Sequence, residues 1–138
     1  MTQGMNYAPT PRAQRVVCEP GEFCFAVAFM DHGHIFGMAA NLAQAGGTLT
    51  KIYEPDEKKA QFLRKQFPAA VIVESFDEIL QDPDIRLVAA AAIPDLRGPI
   101  GIKVMQHDKD YFTDKTPFTS LSQLERAKQV CENTGRKY

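Results

Sequence analysis

Four polar turns follow apolar runs in this sequence, and each carries side chains able to hold or transform a small molecule. His32 and His34 flank Gly33 directly after the run Phe25–Phe29. Their ring nitrogens can hydrogen-bond a phosphate or a ribose, or can hold the backbone of the turn itself. The neighbouring sequence offers them no third metal ligand, so no metal site is expected. Glu54 closes the run Thr48–Tyr53, 25 residues after Phe29. A carboxylate so placed can accept hydrogen bonds from ribose hydroxyls and repels a 2′-phosphate. The alternative is a solvated turn residue. Arg97 follows the most apolar run, Arg86–Ile93, and the rigid Pro94. Its guanidinium suits a phosphate or a carboxylate, or it serves equally as a surface residue at a helix start. Lys115 lies in the loop Asp114-Lys115-Thr116-Pro117. An ammonium at a strand end can hydrogen-bond a reacting hydroxyl and stabilise developing negative charge.

These turns need elements to position them. Cys24–Phe29 predicts a buried strand, and Ile35–Gln44 has apolar residues at helical spacing, ended by Ala45-Gly46-Gly47. Thr48–Tyr53 is β-branched and aromatic, hence a second strand, and Asp56 caps a helix running to Lys65. Ala70–Val73 predicts a third strand, and Ser75 with Glu78 forms a capping box for a short helix to Leu80. Residues 86–93 predict a strand covered on both faces, stopped by Pro94, with a helix from Pro99 to Gln106. Asp110–Thr113 is a fifth strand. Ser120 or Ser122 caps a last helix to about Glu132, and Arg136–Tyr138 starts a sixth strand. Strands alternating with helices imply an α/β, doubly wound parallel sheet, Rossmann-like, in a single domain over residues 23–138 after an N-terminal arm over 1–22. Such sheets bind ligands at the carboxyl ends of their strands.

Composition narrows the partners. The 138 residues are 44% hydrophobic and 24% charged, an ordinary globular balance. A net charge of -1 gives no general attraction to nucleic acid or anionic membrane. No run approaches the ~20 apolar residues of a membrane span. The first residues lack the apolar core of a signal peptide. Cys18, Cys24 and Cys131 have no metal-type spacing and read as thiols in a reducing, cytoplasmic setting.

The dinucleotide fingerprint Gly-x-Gly-x-x-Gly would fall at Phe29, Asp31 and His34, none of them glycine. An Asp31 side chain crowds and repels a pyrophosphate, so either Gly33 provides the close approach or dinucleotide affinity is reduced. A cofactor-free binding or scaffold module on the same fold is therefore the competing expectation.

Taken together, several stretches resemble the N-terminal domain of the glucose–fructose oxidoreductase / inositol dehydrogenase (Gfo/Idh/MocA) family. They are Ala26-Val27-Ala28 with the His-Gly-His turn, Lys51–Asp56, Ser75–Ile85, Val88–Pro94, and Asp114-Lys115-Thr116-Pro117. The last is similar to the family's Glu-Lys-Pro motif, with Asp for Glu and a Thr inserted. The resemblance spans residues 23–138. It implies oxidation or reduction of a sugar, polyol or related compound with NAD, NADP being the lesser alternative because Lys58 and Lys59 lie close to Glu54. It places Lys115 as the catalytic lysine beside the nicotinamide and Glu54 on the ribose. Further cofactor contacts fall at His32, Gly33, His34, Ile35, Pro94 and Arg97. Gly98 stands where the family often has a histidine. The family's second, mostly β domain is absent, so the chain alone is expected to be inactive. The sheet edge that this domain would shield is expected bare, which favours a homo-oligomer.

Overall fold

The computed structural model describes residues 15–138; the first 14 residues of the expected arm lie outside the described residues. Five strands form one parallel sheet in the order β3-β2-β1-β4-β5. They are β1 (Cys24–Ala28), β2 (Thr48–Tyr53), β3 (Val71–Ile72), β4 (Ile85–Ala90) and β5 (Asp110–Thr113). Helices α1 (His34–Gln44), α2 (Glu57–Gln66), α3 (Asp77–Leu80), α4 (Pro94–Met105) and α5 (Leu121–Thr134) complete the chain. This is the α/β Rossmann-like arrangement expected from the sequence.

The unbroken apolar character of β1 follows from its central place. Phe25, Ala26, Val27 and Ala28 are all 0% exposed, because helices cover the sheet on both faces. One core joins Phe25, Val27, Ile35, Met38, Ile52 and Leu63. The other joins Ala26, Val88, Ile79, Val104 and Tyr111.

Local signals set most boundaries. Asp56 accepts from the Lys58 and Lys59 N–H groups at the start of α2. Glu78 Oε1 accepts from Ser75 N–H at 2.9 Å, while Ser75 Oγ accepts from Glu78 N–H at 3.4 Å, closing the expected capping box. Of the two serines proposed to cap α5, Ser120 does so, accepting from Gln123 N–H.

Three boundaries differ from expectation. The β4 ladder ends at Ala90, not Ile93, because Ala91 turns to the loop after β1. Its N–H donates to Phe29 O at 3.0 Å and its carbonyl accepts from His32 N–H at 3.0 Å. Helix α4 begins at Pro94 rather than Pro99. Both prolines satisfy the rule for a first-turn position, but Pro94 takes it and Pro99 falls inside the helix. Pro99 has no N–H for the Asp95 carbonyl, which instead accepts from Gln123 Nε2 of α5 at 3.1 Å. Finally, residues 136–138 do not form a sixth strand. They run beside β5 with one backbone bond, Tyr111 N–H to Lys137 O at 2.9 Å. Residues 136–138 thus lie along the outer side of β5.

Residues 17–22, the end of the expected 1–22 arm, are tied to the domain, and Glu22 N–H donates to Glu19 O at 3.0 Å across a turn. Val17 N–H donates to Ala45 O at 2.8 Å, and Gly21 N–H to Thr48 Oγ1 at 2.8 Å. All three cysteines are free.

Candidate functional site

Strand register brings the candidate residues to one level. Tyr53, Ala28, Ala90 and Thr113 form a continuous row across β2, β1, β4 and β5. The next residue in each strand, Glu54, Phe29, Ala91 or Asp114, therefore emerges at the same carboxyl edge. Glu54 and Lys115 share that edge, separated by three strand spacings, about 14 Å. An extended ligand can reach both.

Each strand-end loop is fastened to its neighbour by polar bonds. Glu54 Oε2 accepts from Met30 N–H at 2.5 Å and Oε1 from Asp56 N–H at 3.0 Å. A carboxylate has about four acceptor sites, so two remain for ligand hydroxyls. Asp31 Oδ2 accepts from Ile93 N–H at 3.3 Å, which joins the β1 loop to the start of α4. His34 Nδ1 meets Asp114 Oδ2 across 80 residues of sequence. The His32 ring packs edge-on against His34 with centroids 4.2 Å apart.

The structure sorts the other candidates. The Ile35 side chain is fully buried in the core, leaving only its backbone near the turn. Pro94 starts α4 and is exposed. Arg97 is not the surface residue that was one alternative: it is 4% exposed. Its Nε donates to Ala92 O at 2.7 Å and Nη1 to Thr116 O at 3.1 Å. It braces the exit of β4 against the Asp114–Pro117 loop. Lys115 is exposed, with φ 60. A left-handed conformation in a lysine is strained backbone, held by its surroundings. Lys115 also lines a surface hollow of ≈ 550 Å³ along β5, with Leu87, Tyr111, Phe112 and Tyr138. That hollow lies along β5 and not at the β1–β4 crevice. It is lined mainly by sheet-edge residues, so the strand-end geometry is the better guide to chemistry.

Burial holds the Tyr111 phenol near the hollow in its protonated form, its pKa pushed up to about 12. Tyr138 is raised for the same reason.

Asp114 is the group that sequence reasoning missed as a partner of the histidines. The available signal was partial: β5 register puts the residue after Thr113 level with Phe29 and Ala91, at the edge where the His32–His34 turn begins. A carboxylate thus joins the two imidazoles that the sequence left without a third ligand.

Two observations test the site against a dinucleotide. Phe29, at the first fingerprint position, keeps the left-handed turn with φ 54. A Cβ added at Gly33 would meet nothing within 4 Å, so the turn has room on that side. Glu54 thus stands at the end of β2 with acceptor capacity left, while the turn after β1 presents Asp31 and His34 where the fingerprint has glycines. Among the described residues, no helix is long and apolar enough to cross a membrane.

Comparison with known proteins follows the same lines. A protein from Erwinia carotovora atroseptica described as an oxidoreductase superposes with a TM-score of 0.80 at 32% identity, over 85% of this chain and 35% of that one. GenD2 from gentamicin A biosynthesis, solved in complex with NAD, gives 0.76 at 20% identity, over 94% and 36%. The myo-inositol 2-dehydrogenase of Lactobacillus plantarum gives 0.71 at 12%, over 87% and 36%. The last two speak to the fold alone. The chain spans about a third of the length of these solved structures. A search of curated proteins finds no match. The model of the oxidoreductase family with an NAD-binding Rossmann fold matches residues 27–138, so the chain belongs to the Gfo/Idh/MocA oxidoreductase family.

Proposed function

We propose that this domain binds NAD across the carboxyl ends of β2, β1, β4 and β5. The observation that carries the reading is Glu54: it follows β2, one strand from the β1–β4 reversal of strand order, with its carboxylate anchored on Met30 N–H. Its remaining acceptor sites take the adenosine ribose hydroxyls, and its charge disfavours a 2′-phosphate. His32, Gly33, His34 and the Ile35 backbone border the pyrophosphate. Pro94 shapes the β4 exit, with Arg97 bracing it. Bound NAD supplies hydride acceptance, and NADH donation. Lys115 hydrogen-bonds the reacting hydroxyl of a sugar, polyol or related substrate and stabilises negative charge as it develops. A substrate pocket needs a second wall, so the 138 residues bind cofactor without turning over substrate. A homo-oligomer in the cytoplasm suits this reading.

Calorimetric titration of NAD into the chain tests it. One site is expected, and Glu54→Ala weakens it about 10- to 100-fold, the loss of a hydrogen bond to a charged group. Absence of binding at millimolar NAD overturns the reading. It would favour the cofactor-free module, for which the specific support is Asp31, a carboxylate at the second fingerprint position.

A further inference from the structure

Two imidazoles and a carboxylate converge at the turn between β1 and α1. One ligand atom from each of His32, His34 and Asp114 lies within 4.8 Å of the others. We propose that these three residues bind a divalent first-row transition cation, with its remaining positions open to the strand-end crevice.

Geometry and donor chemistry support the assignment. Imidazole and carboxylate together suit Zn²⁺ and its neighbours, at bond lengths near 2.0–2.2 Å. Ligand atoms in such a shell stand about 3 Å apart, so the three side chains need only small rotations to enclose an ion. His32 Nδ1 accepts from the His34 N–H at 3.3 Å, which places the ring proton on Nε2; ligation through Nδ1 replaces that bond and leaves Nε2–H to donate outward. His34 Nδ1 already faces Asp114 Oδ2. The other carboxylate oxygen, Asp114 Oδ1, is buried with no hydrogen-bond partner among the described residues. A buried acceptor left unpaired is costly, and a cation held by both oxygens of this carboxylate satisfies it. Both histidines are exposed, so the ion has a route in.

A further consequence rests on the NAD reading. The cation offsets the negative charge of Asp31 and Asp114 and offers a ligand to a pyrophosphate oxygen. It would serve where a glycine-rich turn otherwise lets backbone N–H groups approach.

The test uses the 138-residue chain without a polyhistidine tag. Zn²⁺ is titrated calorimetrically, and Co²⁺ by its visible absorption. One ion per chain is expected, with His32→Asn, His34→Gln and Asp114→Asn each weakening binding at least ~10-fold. His107→Gln, at the far end of α4, is expected to change nothing. Circular dichroism establishes that each variant folds. Because the three cysteines are free, a Cys-to-Ser triple variant keeping full Zn²⁺ affinity is part of the expected result. Affinity unchanged across the three triad variants, or lost with the cysteines, overturns the site and leaves a His–Asp hydrogen bond only. NAD is then titrated with Zn²⁺ and with EDTA. NAD binding in EDTA without Zn²⁺ binding refutes the metal site and spares the cofactor reading; Zn²⁺ binding without NAD binding does the reverse.

Discussion

Replacing Arg97 by Met removes a buried brace while keeping a side chain of similar length. Two backbone carbonyls lose their partner, and they differ in surroundings. Ala92 O lies in a residue that is 0% exposed, so no water replaces the guanidinium there. Leaving a buried acceptor unsatisfied costs roughly 1–3 kcal/mol. Thr116 is exposed, and its carbonyl can rehydrate, so its loss adds little. Against this stands the relief of not burying a cation, since Arg97 forms no ion pair among the described residues. The Met stem retains most of the packing. The expected net loss is about 2 kcal/mol, a large share of the ~5–15 kcal/mol that holds a domain together. Urea unfolding followed by circular dichroism reads this as a lower midpoint with an unchanged slope. Arg97→Lys should fall between, because an ammonium can reach one carbonyl but not span both. An Arg97→Met midpoint within ~0.5 kcal/mol of the parent would refute the reasoning. It would mean that the Ala92 carbonyl is hydrated in solution and that Arg97 does not brace the Lys115 loop.

Two other perturbations follow from the α4–β5 packing. The Tyr111 phenol has a folded pKa near 12, against an ordinary value of 10.0. A raised folded pKa gives stability that is complete below pH 10 and lost as pH climbs through 12. Stability should therefore fall steeply across that window by up to about 3 kcal/mol. In Tyr111→Phe the fall should be visibly shallower, as read from urea midpoints at stepped pH; identical profiles would rule out burial of the phenol as the cause. Gly101 lets α4 approach β5 closely: a Cβ there would lie 2.5 Å from Tyr111 Cδ1 and also strike the Tyr138 ring. Gly101→Ala should destabilise by roughly 1–3 kcal/mol through overpacking. A melting temperature at or above the parent's would show that the rings yield freely.

What the sequence made legible is what local chemistry decides. Apolar runs specified the strands. Asp56, Ser75 with Glu78, and Ser120 capped helices where their hydroxyl and carboxylate groups predict. Glu54 was legible because it ends a strand. The rest depended on partners distant in sequence. Pro94 and Pro99 satisfy the same first-turn rule, and only the meeting of Ala91 with the β1 loop decides between them. The apolar run through Ile93 contains no sign that its last residues leave the ladder. Arg97 reads in the sequence as an anion contact or a surface helix-start residue, and only the structure shows two carbonyls, 19 and five residues away, enclosing it. Lys109 is a parallel case: it is 3% exposed, with Nζ donating to Asp82 O at 2.5 Å and Ile85 O at 3.1 Å. Burial lowers its pKa, yet nothing in its neighbourhood of sequence marks it as interior.

The turn after β1 separates two jobs that glycine performs together in a dinucleotide fingerprint. One is conformational: the first position must adopt positive φ. Phe29 does so at φ 54, at a backbone cost of roughly 1–2 kcal/mol for a residue with a Cβ. That conformation is held from both sides. Phe29 N–H donates to Tyr53 O at 3.2 Å, and Phe29 O accepts from Ala91 N–H at 3.0 Å. Its ring packs edge-on against Tyr53 and Phe76, with centroids 5.3 and 4.9 Å away. Bonds to β2 and the β4 exit, with aromatic packing, thus preserve the bend without glycine. The second job is steric, to leave the phosphates room at the backbone. No packing can replace that, and it is here that Asp31 and His34 change the chemistry. The fold therefore survives the loss of its glycines intact, while whatever binds at this turn must now contend with, or make use of, two imidazoles and two carboxylates.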